Sequence, residues 1–310
     1  MDRGRAVAEA VGGRIERLED RVNGVLPAPL KVGLGVLYWH SDRTSARFDR
    51  VADSPGVRRW CDLAILTLLV LQVGSLLLVS VAAGNALNQP PTALNDPVNT
   101  IAIPGVNAFM PLASTPYVVG ALVVATVVHE GGHALACRAT GIPVEEWGVA
   151  LLAGVVPLAG YVLPDDALSA ADSRARMRVF ALGVQHNLVV TALAGVVHLS
   201  PLTASPTAAF ITYFGWAAVG GSPPTAASVA ALGPLTNTCF WLVLLNAYVG
   251  LLNALPIIPM DGGRVLSELL DTAADRAGYP LSARARKGAV YALSVTAAGL
   301  VVVAIVGPYL

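Results

Sequence analysis

The chain has 310 residues, with 20 Lys and Arg against 20 Asp and Glu, so its formal net charge is zero. Only 13% of residues are charged and 55% are apolar, against roughly 25% charged in soluble domains. That excludes a soluble globule, which could not cover its surface, and it excludes disorder; neutrality excludes a nucleic-acid binder, which needs a basic face. An integral membrane protein remains. Cys61, Cys137 and Cys239 are an odd count set far apart in or beside apolar runs, so they form neither a disulfide framework nor a Cys-type zinc site.

The first sixty residues mix both charges, and the opening stretch has no apolar core of the kind a cleavable signal needs. Ile15, Leu18 and Val22 would share one face of a helix over Val7–Leu26, but the segment reads as a solvated cytoplasmic extension. Apolar stretches near 20 residues then predict membrane helices at Leu63–Ala83, Tyr117–Cys137, Val179–His198, Leu235–Leu255 and Ala289–Val306. The connector 84–116 is polar and rich in Pro and Asn, and 199–234 is rich in Pro, Ser, Thr and Ala. A sixth apolar stretch, Val144–Leu163, carries Glu145, Glu146, Pro157, Gly148, Gly154 and Gly160. It suits a re-entrant loop or β-hairpin better than a span.

Every Lys and Arg lies in 1–60, in the connectors after the second and fourth stretches, or just before the third; connectors 84–116 and 199–234 hold none. The positive-inside rule then puts the N-terminus in the cytoplasm and the C-terminus outside. Five crossings satisfy that parity. The fold class is an all-α polytopic membrane protein of about five helices with a re-entrant β element. Its parts are an extension (1–60), a first helix with outer loop (61–116), a membrane core (117–270), and a linker with a last helix (271–310).

The second stretch contains His129-Glu-Gly-Gly-His133. The two imidazoles at i and i+4 share one helical face and can present two nitrogens to one tetrahedral Zn²⁺, with Glu130 placed to take a proton from water at the open position. Ionisable groups in hydrocarbon cost roughly 2.5–3.5 kcal/mol on insertion scales, so this trio reads as functional. Counting back from Arg138 at about 1.5 Å per residue puts the two His roughly 13 and 8 Å inside the cytoplasmic boundary. A catalytic zinc needs a third protein ligand. Asp261 lies at a similar depth, after a fourth helix interrupted by Pro256 and Pro259, with Gly262-Gly263 permitting a sharp turn. His186 is also within reach. His198 is on the far side.

HEGGH in one helix, with Asn253…Pro256…Pro259-Met260-Asp261-Gly262-Gly263 in a later one, resembles the site-2 protease family of intramembrane zinc metalloproteases over about residues 98–270. Ile103-Pro-Gly-Val-Asn107 and Gly183-Val-Gln-His186-Asn187 look like the sterol-regulatory branch. The resemblance implies that His129, His133 and Asp261 hold zinc, that Glu130 is the catalytic base, and that Asn253 engages substrate. Asn187, or Asn246, could also contact the substrate backbone. Gly154–Val162 matches the family's membrane re-entrant β element. Met260 stands where Leu is usual. The connector 199–234 is too short for the PDZ domain many members insert, so no PDZ-mediated partner is expected.

The implied activity is regulated intramembrane proteolysis: cleavage of a single-span membrane protein within or near its transmembrane segment, with the site near the cytoplasmic face of the bilayer. Two other classes compete. CAAX-type membrane proteases need a downstream Glu ligand, and Glu268 is the only one after Glu146. A metal transporter, or an inactive metal-binding homologue, would respectively want ligands reaching the outer face or have lost one of the four residues.

Overall fold

The computed structural model describes residues 18–33, 36–43, 46–152, 156–279 and 282–310. Most of the amphipathic helix expected over 7–26 lies outside them; residues 18–23 are helical. Two strands, β1 (Leu30–Gly33) and β2 (Val36–Ser41), precede a short helix α1 (Ala46–Ala52). Five long helices follow: α2 (Pro55–Ala86), α3 (Thr115–Ala139), α4 (Ser173–His198), α5 (Pro234–Ala254) and α7 (Ala283–Val306), each apolar enough to cross a membrane. A surface helix, α6 (Asp261–Arg276), links α5 to α7, and strands β3 (Val144–Leu152) and β4 (Val156–Pro164) join α3 to α4.

All five apolar stretches are therefore helices. Helices α2, α4 and α7 begin about two turns before their apolar segments because charged residues such as Arg58, Arg59 and Asp62 continue the same hydrogen-bonded ladder, whereas α5 matches its segment to within a residue. Local signals set the ends. Pro55, Pro116 and Pro234 sit in first turns, where the missing N–H costs nothing. Asp172 caps α4 by accepting from the Ala175 amide at 2.8 Å. Gly141, with φ of 77°, reverses the chain after α3.

Helices α3, α4 and α5 pack most extensively on one another. The spans of α4 and α5 are the most buried and those of α2 and α7 the least. One apolar cluster joins α2, α3 and α4 around Leu68, Ala136 and Leu182. A second lies at the other end, where Met110, Tyr213 and Val229 of the two long connectors cover Phe240 and Trp241 of α5. Asn107 organises the first connector: its amide donates to the carbonyls of Asn99 and Ile101 and accepts from the Phe109 amide.

The fold is mostly helical rather than all-α. The four strands form one antiparallel sheet in the order β1-β2-β3-β4. The hairpin expected over 144–163 is present as β3–β4; residues 153–155, Gly154 of the expected element among them, lie outside the described residues. Strands β1 and β2 correct the reading of 1–60 as a wholly solvated extension. They add to the β3 edge, with Trp39 opposite Val149. Lys31 and the Tyr161 hydroxyl both hydrogen-bond Glu146 Oε1, and His40 lies 3.4 Å from Oε2. Burial pushes the Glu146 carboxyl up, but these donors outweigh it and hold it below its ordinary range.

Candidate metal centre

Helix α3 carries His129 and His133 on the face turned to α4. The approach is close because both helices have glycine at the crossing. A β-carbon on Gly132 would fall 2.7 Å from the Leu182 carbonyl oxygen, and one on Gly183 would fall 2.8 Å from His133 Nε2. His129 Nδ1 lies 2.7 Å from Asn187 Oδ1, and His133 Nδ1 lies 2.7 Å from the Val179 carbonyl oxygen. Both partners are acceptors, since the Asn187 amide nitrogen faces the Ala125 carbonyl and Asn246 Oδ1. Each Nδ1 therefore carries the proton, and each Nε2 presents a lone pair.

The third side chain arrives from the break after α5. Leu255 ends the helix in extended backbone, Pro256 follows it, and a cis Ile258–Pro259 peptide leads to Asp261 at the start of α6. Gly262 packs so tightly on the end of α5 that a β-carbon there would meet the Ala254 carbonyl oxygen at 2.2 Å. Two buried side chains from the outer helices tether this loop. Gln72 of α2 donates to the Gly262 carbonyl at 2.8 Å, and the Ile258 amide donates to Ser294 Oγ of α7 at 3.1 Å. Sequence reasoning missed both; a Gln inside an apolar span is itself a signal that a polar partner waits there.

Asp261 Oδ2 stands 3.2 Å from His129 Nε2 and 3.5 Å from His133 Nε2, and the two Nε2 atoms are 3.2 Å apart. Three acceptor atoms thus converge, and Oδ2 is buried with no hydrogen-bond donor. Lone pairs packed this way repel unless a cation lies among them. Zinc with bonds of about 2.0–2.2 Å has tetrahedral ligand edges of roughly 3.3–3.6 Å, and the three spacings of 3.2, 3.2 and 3.5 Å lie within about 0.1 Å of that range. Among the described residues this is the only group of His, Cys, Asp or Glu so arranged. Three protein ligands leave one coordination position open, the pattern of catalytic rather than structural zinc.

Glu130, next in sequence to His129, sits half-buried against β4, where a β-carbon on Gly160 would be 2.9 Å from its Cγ. Asn187 does not face a substrate. It is fully buried and both its N–H groups are spent, on Ala125 and Asn246, so it lies behind His129. Asn246, also fully buried, spends its own amide on the Leu242 carbonyl. Asn253 occupies the last turn of α5 and donates to the Val249 carbonyl. His186 turns to the Val128 carbonyl at 3.2 Å and is not in the ligand group. His198 is at the opposite end of α4, against Phe240.

A bundle of helices long and apolar enough to cross a membrane, with this His-Glu-His-Asp set, defines the class of membrane metallopeptidases. Comparison with known proteins agrees. The family model described as Peptidase family M50 matches residues 117–300, and the chain belongs to that family, the site-2 protease family. It is 28% identical over 184 residues to "Putative zinc metalloprotease Rip3" in two strains of Mycobacterium tuberculosis, covering 58% of this chain. The match spans 37% of the length of those relatives. No solved structure matches.

Proposed function

We propose that this chain is an intramembrane zinc metalloprotease that hydrolyses a peptide bond within or near the transmembrane segment of a membrane-anchored protein. The observation that carries the reading is the convergence of His129, His133 and Asp261 on one point inside a bundle of apolar helices. Those three residues would hold the ion, with Asn187 and the Val179 carbonyl fixing the two imidazoles. Bound zinc supplies Lewis-acid chemistry, activating water and polarising the scissile carbonyl. Glu130 accepts the proton of the attacking water and returns it to the leaving amine. The positive-inside pattern supports a cytoplasmic N-terminus, an outer C-terminus and a site nearer the cytoplasmic face.

A helical substrate hides its peptide bonds, so a segment must unwind. The β3–β4 hairpin supports a re-entrant role in which an extended segment adds as a strand. Because β2 covers the β3 edge, the edge left for it is β4, the strand against Glu130. Asn253, close in sequence to the Asp261 loop, would hydrogen-bond the substrate backbone. The test is Glu130→Gln in native membranes, scored with a membrane-anchored reporter and by quantitative membrane proteomics. Zinc content is expected to stay and cleavage to vanish. Cleavage by the Gln variant would remove Glu130 from the chemistry.

A further inference from the structure

A cavity of about 390 Å³ opens beside Glu130, between α3 and the sheet. Thr126, Val127 and Ala134 of α3 form one wall, Trp147 and Val162 the other, and Phe48 of α1 closes an end. The polar atoms of its aromatic walls are committed elsewhere: the Trp147 indole N–H donates to the Arg43 carbonyl at 3.0 Å and the Tyr161 hydroxyl to Glu146 at 2.6 Å. What faces the cavity is therefore hydrocarbon and ring surface, with Arg43 at its lining and the Glu130 carboxylate as the group that can act on a ligand. Gly131, Gly148 and Gly160 also line it; Gly131 leaves open space where a side chain would stand, while Gly160 lets β4 close tightly on Thr126 and Glu130.

Resting on the proteolytic reading above, we propose that this cavity is a side-chain subsite that takes a large apolar residue, aromatic or branched aliphatic, adjoining the scissile bond. The placement follows from the β4 edge. A strand added there turns alternate side chains to the α3 side of the sheet, and Gly160 on β4 lies directly against Glu130. A segment whose peptide bond reaches Glu130 thus has a neighbouring side chain directed to the cavity. A volume in the range of whole ligand pockets would leave a void around Ala. A charged side chain would give up its water for walls that are almost wholly apolar, and the Glu130 carboxylate among them is the group the reaction itself uses. The class of substrate is accordingly a membrane segment with a bulky apolar residue at the point where it unwinds.

The experiment uses full-length protein in membranes and a reporter whose residues flanking the cut are varied in turn among Ala, Leu, Phe and Lys. At one flanking position, Leu or Phe is expected to be cleaved at least about tenfold faster than Ala, the discrimination a hydrophobic pocket gives for such differences, with Lys slowest. Filling the cavity from either wall, by Val127→Phe or Val162→Phe, is expected to lower the Phe-to-Ala ratio at that position by about tenfold. The ratio is internal to each variant, so reduced expression does not move it. A wild type that cuts all residues equally, or variants with an unchanged ratio, overturn the subsite while leaving the protease intact. A wild type that cuts no reporter overturns the protease itself. Should neither variant cut any reporter, a benzophenone at position 162 of the Glu130→Gln protein decides. Crosslinking to the reporter supports the subsite, and crosslinking to phospholipid alone assigns the cavity to an acyl chain and overturns it.

Discussion

Gly183 lies so near the edge of the His133 ring that a β-carbon built on it would fall 2.8 Å from Nε2 and 3.0 Å from His129 Cε1. The atoms in the way are the far ends of rotatable side chains, so Gly183→Ala can be accommodated by swinging the imidazoles aside. Alanine also favours a helix interior over glycine by about 1 kcal/mol. The expected outcome is a split: unfolding temperature without metal is unchanged or higher, while zinc affinity falls about 10–100-fold, as for other changes just behind metal ligands. Chelator competition measures the affinity and scanning fluorimetry the stability. A variant that binds zinc as the wild type does would place the imidazoles differently.

Asn187 fixes the His129 tautomer through a 2.7 Å contact at Nδ1 and is itself fixed by Ala125 and Asn246. Asn187→Leu should lower zinc affinity about 10–100-fold. Asn246→Leu removes only the outer bond of this chain. Interhelical hydrogen bonds in membranes average about 0.6 kcal/mol, so Asn246→Leu should cost little stability and leave zinc affinity within a few fold. Equal zinc loss in both would show that packing, rather than the tautomer, governs the site.

The loop that delivers Asp261 hangs between two helices that carry no ligand. Gln72→Leu removes the side-chain donor to the Gly262 carbonyl, and Ser294→Ala leaves the Ile258 amide without its acceptor. Each interhelical tether of this kind is worth about 0.6 kcal/mol on average. Each variant is expected to lower both stability and zinc affinity. In the double variant the zinc losses should fall short of additive, because both act through one loop. Strict additivity in a double-mutant cycle would mean that the two tethers hold independent elements.

Much of this arrangement was legible in the sequence because the forces behind it are local. Five apolar stretches had to be helices, as their backbone groups have no water to bond. HEGGH had to show both imidazoles on one face, and Pro256 and Pro259 had to break α5 before Asp261. What was hidden depends on partners distant in sequence. Strands β1 and β2 are short, half-buried runs whose edge lies more than a hundred residues away, at Trp147–Leu151. Nothing in LKVG or VLYWHS announces that pairing. The direction of Asn187 was likewise unreadable: α4 is buried on several sides, and only its packing on α3 shows that the amide turns to the back of His129 rather than to a substrate.

The ion cluster on the sheet gives a pH-dependent test of whether the N-terminal strands hold the hairpin. Four titratable groups meet there: Lys31 and His40 from β1 and β2, Glu146 from β3, and Tyr161 from β4. The Glu146 carboxyl is held below its unfolded value of about 4.3 once its donors outweigh burial. A depressed acid contributes stability that is fully present above the unfolded pKa and is lost as pH falls through the folded one. Hydrogen-exchange protection over β3 and β4, taken relative to the intrinsic rate at each pH, should therefore be high near neutrality and fall on acidification below about pH 4.3. Lys31→Met removes the strongest of the donors that hold the carboxyl down. The variant should show less protection at neutral pH and a smaller fall on acidification, because its folded carboxyl is depressed less. A variant with the wild-type pH profile would mean that Lys31 does not bind the strands to the hairpin.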